Sequence, residues 1–281
     1  MKNTFPRTLL LTLLHLGLVG AVNPAHAEGR PGFGLNTTRV VMMANERSSG
    51  TAVVLNNTDR VYLVQGRVYP ADGNTGVPLV KGVSTGTAAG SSGGKVPFMV
   101  TPPLQRVDAH GTLPLRILAV PDNQLPQDRE SLFFLSAKAI PSQSAPVAQK
   151  ATGKAEQDSV ADDATAKGPQ ITLAMQQFVK LFYRPVSLEP KAIYNGTVAP
   201  KLSMSRAGDR LRVTNPTPYF ITFTLLKAGG KPVDADALRA MVPPKGSQTY
   251  PLPAGVTGGE AEWQIVDEYG LATETERRAL N

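Results

Sequence analysis

Apolar residues along this chain come in short runs, several alternating with polar positions every second residue, and clusters of Gly, Pro, Asn and Asp separate the runs. Residues 40–43, 52–55, 62–68, 98–100 and 113–120 form a first series, punctuated by Asn56-Asn57, Asp72-Gly73-Asn74 and Pro102-Pro103. Residues 131–140 (SLFFLSAKAI) and 171–183 (ITLAMQQFVKLFY) complete it. A second series follows Pro185, at 201–205, 211–214, 219–226 and 261–266, with a turn at Ala207-Gly208-Asp209. A period of two bounded by turn residues predicts strands, and two such series predict two β-sandwiches. Only residues 234–241 offer a modest helical candidate.

Two segments break the pattern. Residues 82–95 (GVSTGTAAGSSGGK) are rich in Gly, Ser and Thr and read as a loop. Residues 141–170 contain no aromatic, Leu, Ile or Met and carry three Lys against four acids. Such a stretch has too little apolar surface to order itself, and a loop of that length inside a domain is often functional. Directly after it, Ile171, Leu173 and Met175 point to one face of a strand while Thr172, Ala174 and Gln176 point to the other. The alternation fits a strand whose apolar face lies in its own core. The other reading is an edge strand that presents that row to a partner.

Composition narrows the chemistry. With 26 Gly and 24 Pro in 281 residues, few stretches are free for long helices. Apolar residues at 41% and charged ones at 18% are an ordinary globular balance. The absence of Cys excludes disulfides, thiol catalysis and Cys-ligated metals. Lys2 and Arg7, the apolar run that follows them and Ala25-His26-Ala27 have the three-part form of a secretory signal peptide, so residues 1–27 are expected to be removed and the mature chain soluble. Loss of Lys2 and Arg7 with no acid lowers the net charge from +7 to +5. His15 and His26 leave with the same segment, so His110, in the turn-like Asp108-Ala109-His110-Gly111, is the last histidine. A Ser-His-Asp triad or a zinc site would hang on that one residue. The basic residues are dispersed without aromatic interleaving, which argues against a nucleic-acid partner, and no Gly-rich phosphate loop is present.

Seven strings in order along the mature chain carry a resemblance. They are Leu35-Asn36-Thr37-Thr38-Arg39-Val40, Tyr62-Leu63-Val64-Gln65, Pro97-Phe98-Met99-Val100-Thr101-Pro102-Pro103-Leu104-Gln105-Arg106 and Leu115-Arg116-Ile117. Leu125-Pro126-Gln127-Asp128-Arg129-Glu130-Ser131-Leu132-Phe133, Lys180-Leu181-Phe182-Tyr183-Arg184-Pro185 and Asn215-Pro216-Thr217-Pro218-Tyr219 follow. In these the chain closely resembles the periplasmic chaperones of the chaperone–usher pathway, which assemble pili and other surface fibres. The resemblance implies an all-β protein of two immunoglobulin-like β-sandwich domains, residues 28–184 and 185–281, set at an angle with a subunit-binding cleft between them. It implies no enzymatic activity, no cofactor and no metal, with pilus or fimbrial subunits and an outer-membrane usher as partners. Subunits of such fibres lack their last strand, and the chaperone lends one of its own by strand addition.

By motif match, Arg39 and Lys180 would hold the subunit's C-terminal carboxylate. Two converging cations suit a fixed anion, and they pin the register of the strand that follows. Ile171, Leu173 and Met175 become the donor row. Glu130, Arg184 and Asp267, the last in Val266-Asp267-Glu268-Tyr269-Gly270, match an interdomain ion network. A permanently charged arginine holds carboxylates ionised, the wrong state for a general acid, so the group reads as structural. Family members with a long loop before the donor strand usually carry a cysteine pair flanking it, and this chain has the long loop without the pair. Short-loop and long-loop membership therefore stay open, as does self-association of the free chain through its edge strand. The rival reading is a secreted two-domain immunoglobulin-like adhesin or fibre protein.

Overall fold

A computed structural model describes residues 32–45, 49–72, 76–80, 96–121, 124–142 and 173–280. The leader at 1–27, the loop at 82–95, nearly all of the 141–170 segment and Ile171 lie outside the described residues.

The first sandwich is built from β1 (Phe33–Leu35), β2 (Arg39–Ala44), β3 (Ser49–Asn56), β4 (Tyr62–Pro70), β5 (Phe98–Thr101), β6 (Leu104–Val107), β7 (Thr112–Ala119), β8 (Ser131–Pro141) and β9 (Met175–Pro185). One sheet has the order β1-β3-β7-β5 and the other β2-β9-β8-β4-β6. Alternation decides which residues face inward. On β7, Leu113, Leu115 and Ile117 are buried while Pro114 and Arg116 are exposed. On β8 the odd-numbered Phe133, Leu135, Ala137 and Ala139 enter the core, met by Tyr62 and Val64 of β4 and by Val179, Leu181 and Tyr183 of β9. Phe98 packs edge-on to Phe133 and Tyr183, with centroids 4.8 and 5.7 Å away. These rings close the core at the end nearer the second sandwich.

The second sandwich pairs a sheet of β10 (Ser203–Ala207), β11 (Arg210–Asn215) and β14 (Gly246–Pro251) with one of β12 (Phe223–Ala228), β13 (Lys231–Pro232), β15 (Glu260–Ile265) and β16 (Glu276–Ala279). Leu211 and Val213 alternate with Arg210, Arg212 and Thr214, and the core closes on the fully buried Trp263, whose Nε1–H donates to the Ala199 carbonyl at 3.2 Å. The helical candidate at 234–241 is a single 3-10 turn, Ala237–Arg239; Asp234 Oδ1 accepts the N–H groups of Asp236 and Ala237 at its start. The sequence pattern misses β1, β6, β13, β14 and β16, which are short or largely polar.

One corner occurs in both sandwiches. Asn56 Nδ2 donates to the Arg60 and Asp108 carbonyls while its Oδ1 accepts the N–H and hydroxyl of Thr58. Asn215 does the same with the Tyr219 and Pro243 carbonyls and with Thr217. Each buried amide thus satisfies three groups of the turn that leaves its sheet and one carbonyl of a distant segment. His110 stands in a turn as well, at φ 56°, with Nε2 2.9 Å from the exposed carboxylate of Asp59.

Candidate functional site

Strand β9 links everything that follows. Its C-terminal half is central in its sheet: β2 runs parallel on one side, from Arg39 opposite Lys180 to Ala44 opposite Pro185, and β8 runs antiparallel on the other. Its N-terminal half is different. Residues from Met175 to Val179 pair with β8, but β2 begins only at the level of Lys180, so no strand pairs with their other edge among the described residues. That edge presents unpaired main-chain groups, the template for strand addition.

The side chains change with the pairing. Met175, in line with the core residues Val179, Leu181 and Tyr183, is 41% exposed, and Leu173 just before the strand is 74% exposed. Between them and the core, Gln177 Oε1 accepts the Leu35 N–H at 2.6 Å, a polar group that ends the core. Leu173 and Met175 therefore lie beyond their own hydrophobic core.

On the opposite face of β9, Lys180, Phe182 and Arg184 descend between the sandwiches. Lys180 Nζ donates to Thr222 Oγ1 of the second sandwich at 3.1 Å. Arg39, beside it in register, donates from Nη1 to the Val266 carbonyl at 3.2 Å and lies 5.7 Å from the centre of the Phe182 ring. Its Nε is buried without a hydrogen-bond partner, and neither cation forms an ion pair among the described residues. Burial lowers Arg39 to about 10, against the pull of Asp267, Glu130 and Glu268. Burial, with repulsion from Arg39, lowers Lys180 to about 8. Two crowded cations and an unused donor favour an incoming oxyanion, which would relieve the repulsion and take the free N–H.

Deeper between the sandwiches the charges are paired. Arg184 donates from Nε and Nη2 to Glu130 Oε1 at 2.8 and 2.7 Å, and from Nη1 to Glu268 Oε1 at 2.9 Å. Its guanidinium also covers the Tyr219 ring at 4.6 Å and reaches the Glu189 and Pro190 carbonyls. Glu130 Oε2 accepts the Phe220 N–H at 2.7 Å, and the Glu130 N–H donates to the Pro218 carbonyl. Burial pushes the Glu130 carboxyl up, with Arg184 and the Phe220 amide pulling the other way. Glu130, Arg184, Phe182, Arg39, Phe220 and Glu268 are among the residues lining a cavity between the two sandwiches.

Here the structure departs from the motif match. Asp267 makes no ion pair with Arg184; its Oδ1 accepts the N–H groups of Tyr269 and Leu271 and shapes the turn. Glu268, one residue on, turns inward instead and also accepts the Ile193 and Tyr194 N–H groups. Two adjacent acids after the end of β15 offer no strand alternation to choose between them. The turn decides, because an Asp side chain is short enough to bond the backbone two residues ahead. Thr222 and the Val266 carbonyl carry no sequence signal at all.

Two β-sandwiches with a buried arginine between them agree with what comparison finds. Residues 32–189 match the family described as pili and flagellar-assembly chaperone, PapD N-terminal domain, and residues 197–277 match the pili assembly chaperone PapD, C-terminal domain. The chain belongs to the PapD-like pili assembly chaperones. It is 34% identical to the chaperone protein FimC of Escherichia coli K12 over 242 residues, covering 86% of this chain and 82% of FimC. To the chaperone protein FocC of Escherichia coli it is 31% identical over 244 residues, 86% of this chain and 88% of FocC. Among solved structures it is similar to the Escherichia coli chaperone DraB, with TM-score 0.63 and 28% identity over 89% of this chain and 97% of DraB. A Salmonella enterica SafA pilin in complex with the SafB chaperone matches with TM-score 0.65 and 26% identity, over 89% of this chain and 96% of that one. This pili assembly chaperone thus shares with its relatives a nearly all-β fold of two domains.

Proposed function

We propose that this chain is a periplasmic, ATP-independent chaperone without enzymatic activity that captures pilus or fimbrial subunits and passes them to an outer-membrane usher. Residues 1–27 serve as its export signal, and its working domains are 28–184 and 185–281. Capture proceeds by donor-strand complementation, with Ile171, Leu173 and Met175 filling the subunit's open groove and Arg39 and Lys180 taking its C-terminal carboxylate. The observation that carries this reading is the alignment of the free edge of β9 with the two cations at its end. A strand laid along Met175–Val179 in line with β2, its terminal carboxylate at Lys180, must run parallel to β9. Glu130, Arg184 and Glu268 hold the two domains in the relation that keeps the cations at that end.

To test it, a pilus subunit from the same organism is co-expressed with the wild type and with Arg39→Ala or Lys180→Ala. Subunit is expected to accumulate and co-purify with the wild type and to be degraded with either variant. Normal co-purification with both variants would overturn the anchor assignment.

A further inference from the structure

Tyr194 and Tyr269 are 56% and 55% exposed, yet their rings meet edge to face with centroids 5.1 Å apart. Lys191 Nζ lies 5.5 Å from the centre of the Tyr269 ring, and Leu271, 63% exposed, follows on the same turn. An exposed aromatic pair, with an exposed leucine two residues on from one of the rings, is surface that a protein leaves apolar at some cost in solubility unless something covers it. The two turns that carry the rings are fixed to one carboxylate, since Glu268 accepts the N–H groups of both Ile193 and Tyr194. The rings are therefore held in place before anything binds.

Their position ties them to the cleft. Ile193 and Glu268 line the cavity between the sandwiches, and Tyr194 and Tyr269 are the next residue along in each case. At the other end of the 267–271 turn, Gly270 has φ +87°, and a Cβ there would stand 2.7 Å from Thr38 Oγ1. The turn thus lies directly against the residue preceding Arg39, and its Val266 carbonyl holds the Arg39 guanidinium. A strand added in line with β2 ends at this place.

We propose that the Tyr194–Tyr269 pair, with Leu271, is a docking surface for one aromatic or long aliphatic side chain within the last few residues of the captured subunit. The inference rests on the reading that Arg39 and Lys180 take the chain-terminal carboxylate. The pair would then measure the residue type near that terminus, while the exposed row on β9 measures the groove farther away.

The probe is a set of short synthetic peptides of alternating apolar and polar residues ending in a free carboxylate, with a single phenylalanine placed in turn at each of the last positions and alanine as reference. Each is titrated against the full mature chain and against the double variant Tyr194→Ala/Tyr269→Ala, and each is repeated as its C-terminal amide. At one position phenylalanine should bind the wild type roughly three- to tenfold more tightly than alanine. That advantage should vanish in the double variant while the preference for acid over amide persists. Tyr269→Phe, which keeps the ring, should retain the advantage, and Leu271→Ser serves as a second variant should the double one fold poorly. No phenylalanine advantage on the wild type, or the same advantage on the wild type and on the double variant or Leu271→Ser, would overturn the docking surface alone. Equal binding of acid and amide would overturn the carboxylate reading beneath it.

Discussion

Arg39 and Lys180 stand directly opposite one another in the parallel pair of β2 and β9, and both side chains leave the sheet toward the second sandwich. Like charges side by side in a half-buried place are unfavourable, and folding has put them there with a buried guanidinium N–H left over. The neighbouring arginine, Arg184, shows what a saturated cation looks like in the same cleft, with two carboxylates, two carbonyls and a ring around it. The contrast between the two arginines separates a cation with a donor still open to a ligand from one whose donors are already taken.

Capture should weaken at alkaline pH. Lys180, lowered to about 8 in the free protein, is charged below that value and neutral above it, so affinity for a free-carboxylate peptide should be flat near pH 6–7 and fall as pH rises through 8. Calorimetry in buffers of different ionisation enthalpy should register proton uptake on binding near pH 8. Lys180→Arg should remove both effects. The folded chain alone should respond oppositely: its Lys180 value is below the ordinary 10.5, so the unfolded chain holds more protons between about 8 and 10.5 and this residue's contribution to stability rises with pH across that window.

Polar replacement of the exposed row should separate binding from folding. Leu173→Asp or Met175→Ser should abolish co-purification of a subunit while changing the unfolding free energy by no more than about 0.5 kcal/mol, because neither side chain lies in the chain's own core. Chemical denaturation alongside pull-down checks this, and a large loss of stability would place the row in the core after all.

Arg184→Met should be costly. It leaves Glu130 and Glu268 buried without their cation, and removal of one partner from a buried ion network typically costs about 3–5 kcal/mol. Scanning calorimetry should also resolve two transitions where the wild type shows fewer, as the sandwiches lose their shared charge cluster. The triple replacement of Glu130, Arg184 and Glu268 by apolar residues should recover much of the loss.

Of the two repeated asparagine corners, the second should matter more. Asn215→Ala removes the partner that four groups share, with Thr217 only 4% exposed, and should cost about 2–4 kcal/mol. Asn56→Ala breaks the same four bonds where Thr58 and Arg60 reach solvent, and water should make good part of the loss. Equal losses in urea titrations would contradict this ranking.

Much of the fold was readable because a half-buried strand writes its burial as a period of two, as in Leu211–Val213 or Leu113–Ile117. Strands such as Glu276–Ala279 have no such signature; they are placed by hydrogen bonds to β15 and expose most of their side chains. Residues of the candidate site could be singled out where they sit inside a distinctive string, as Arg39, Lys180, Glu130 and Arg184 do, and the structure brings these four between the sandwiches. The site was not legible where geometry comes from a turn, as with Glu268 against Asp267, or from what is missing beside a strand. The free edge at Met175 depends on where β2 starts, more than a hundred residues earlier in the chain, and no local pattern reports it.

Because β9 is one continuous strand from Met175 through Lys180, it behaves as a ruler. At about 3.3 Å per residue, the spacing from Lys180 to Met175 is roughly 17 Å and to Leu173 roughly 23 Å. Under the proposed capture, a subunit whose carboxylate sits at the zero mark would need its groove pockets at those graduations. One whose tail is longer or shorter by a residue would turn polar positions toward the apolar row, and would be refused on length before any pocket is compared.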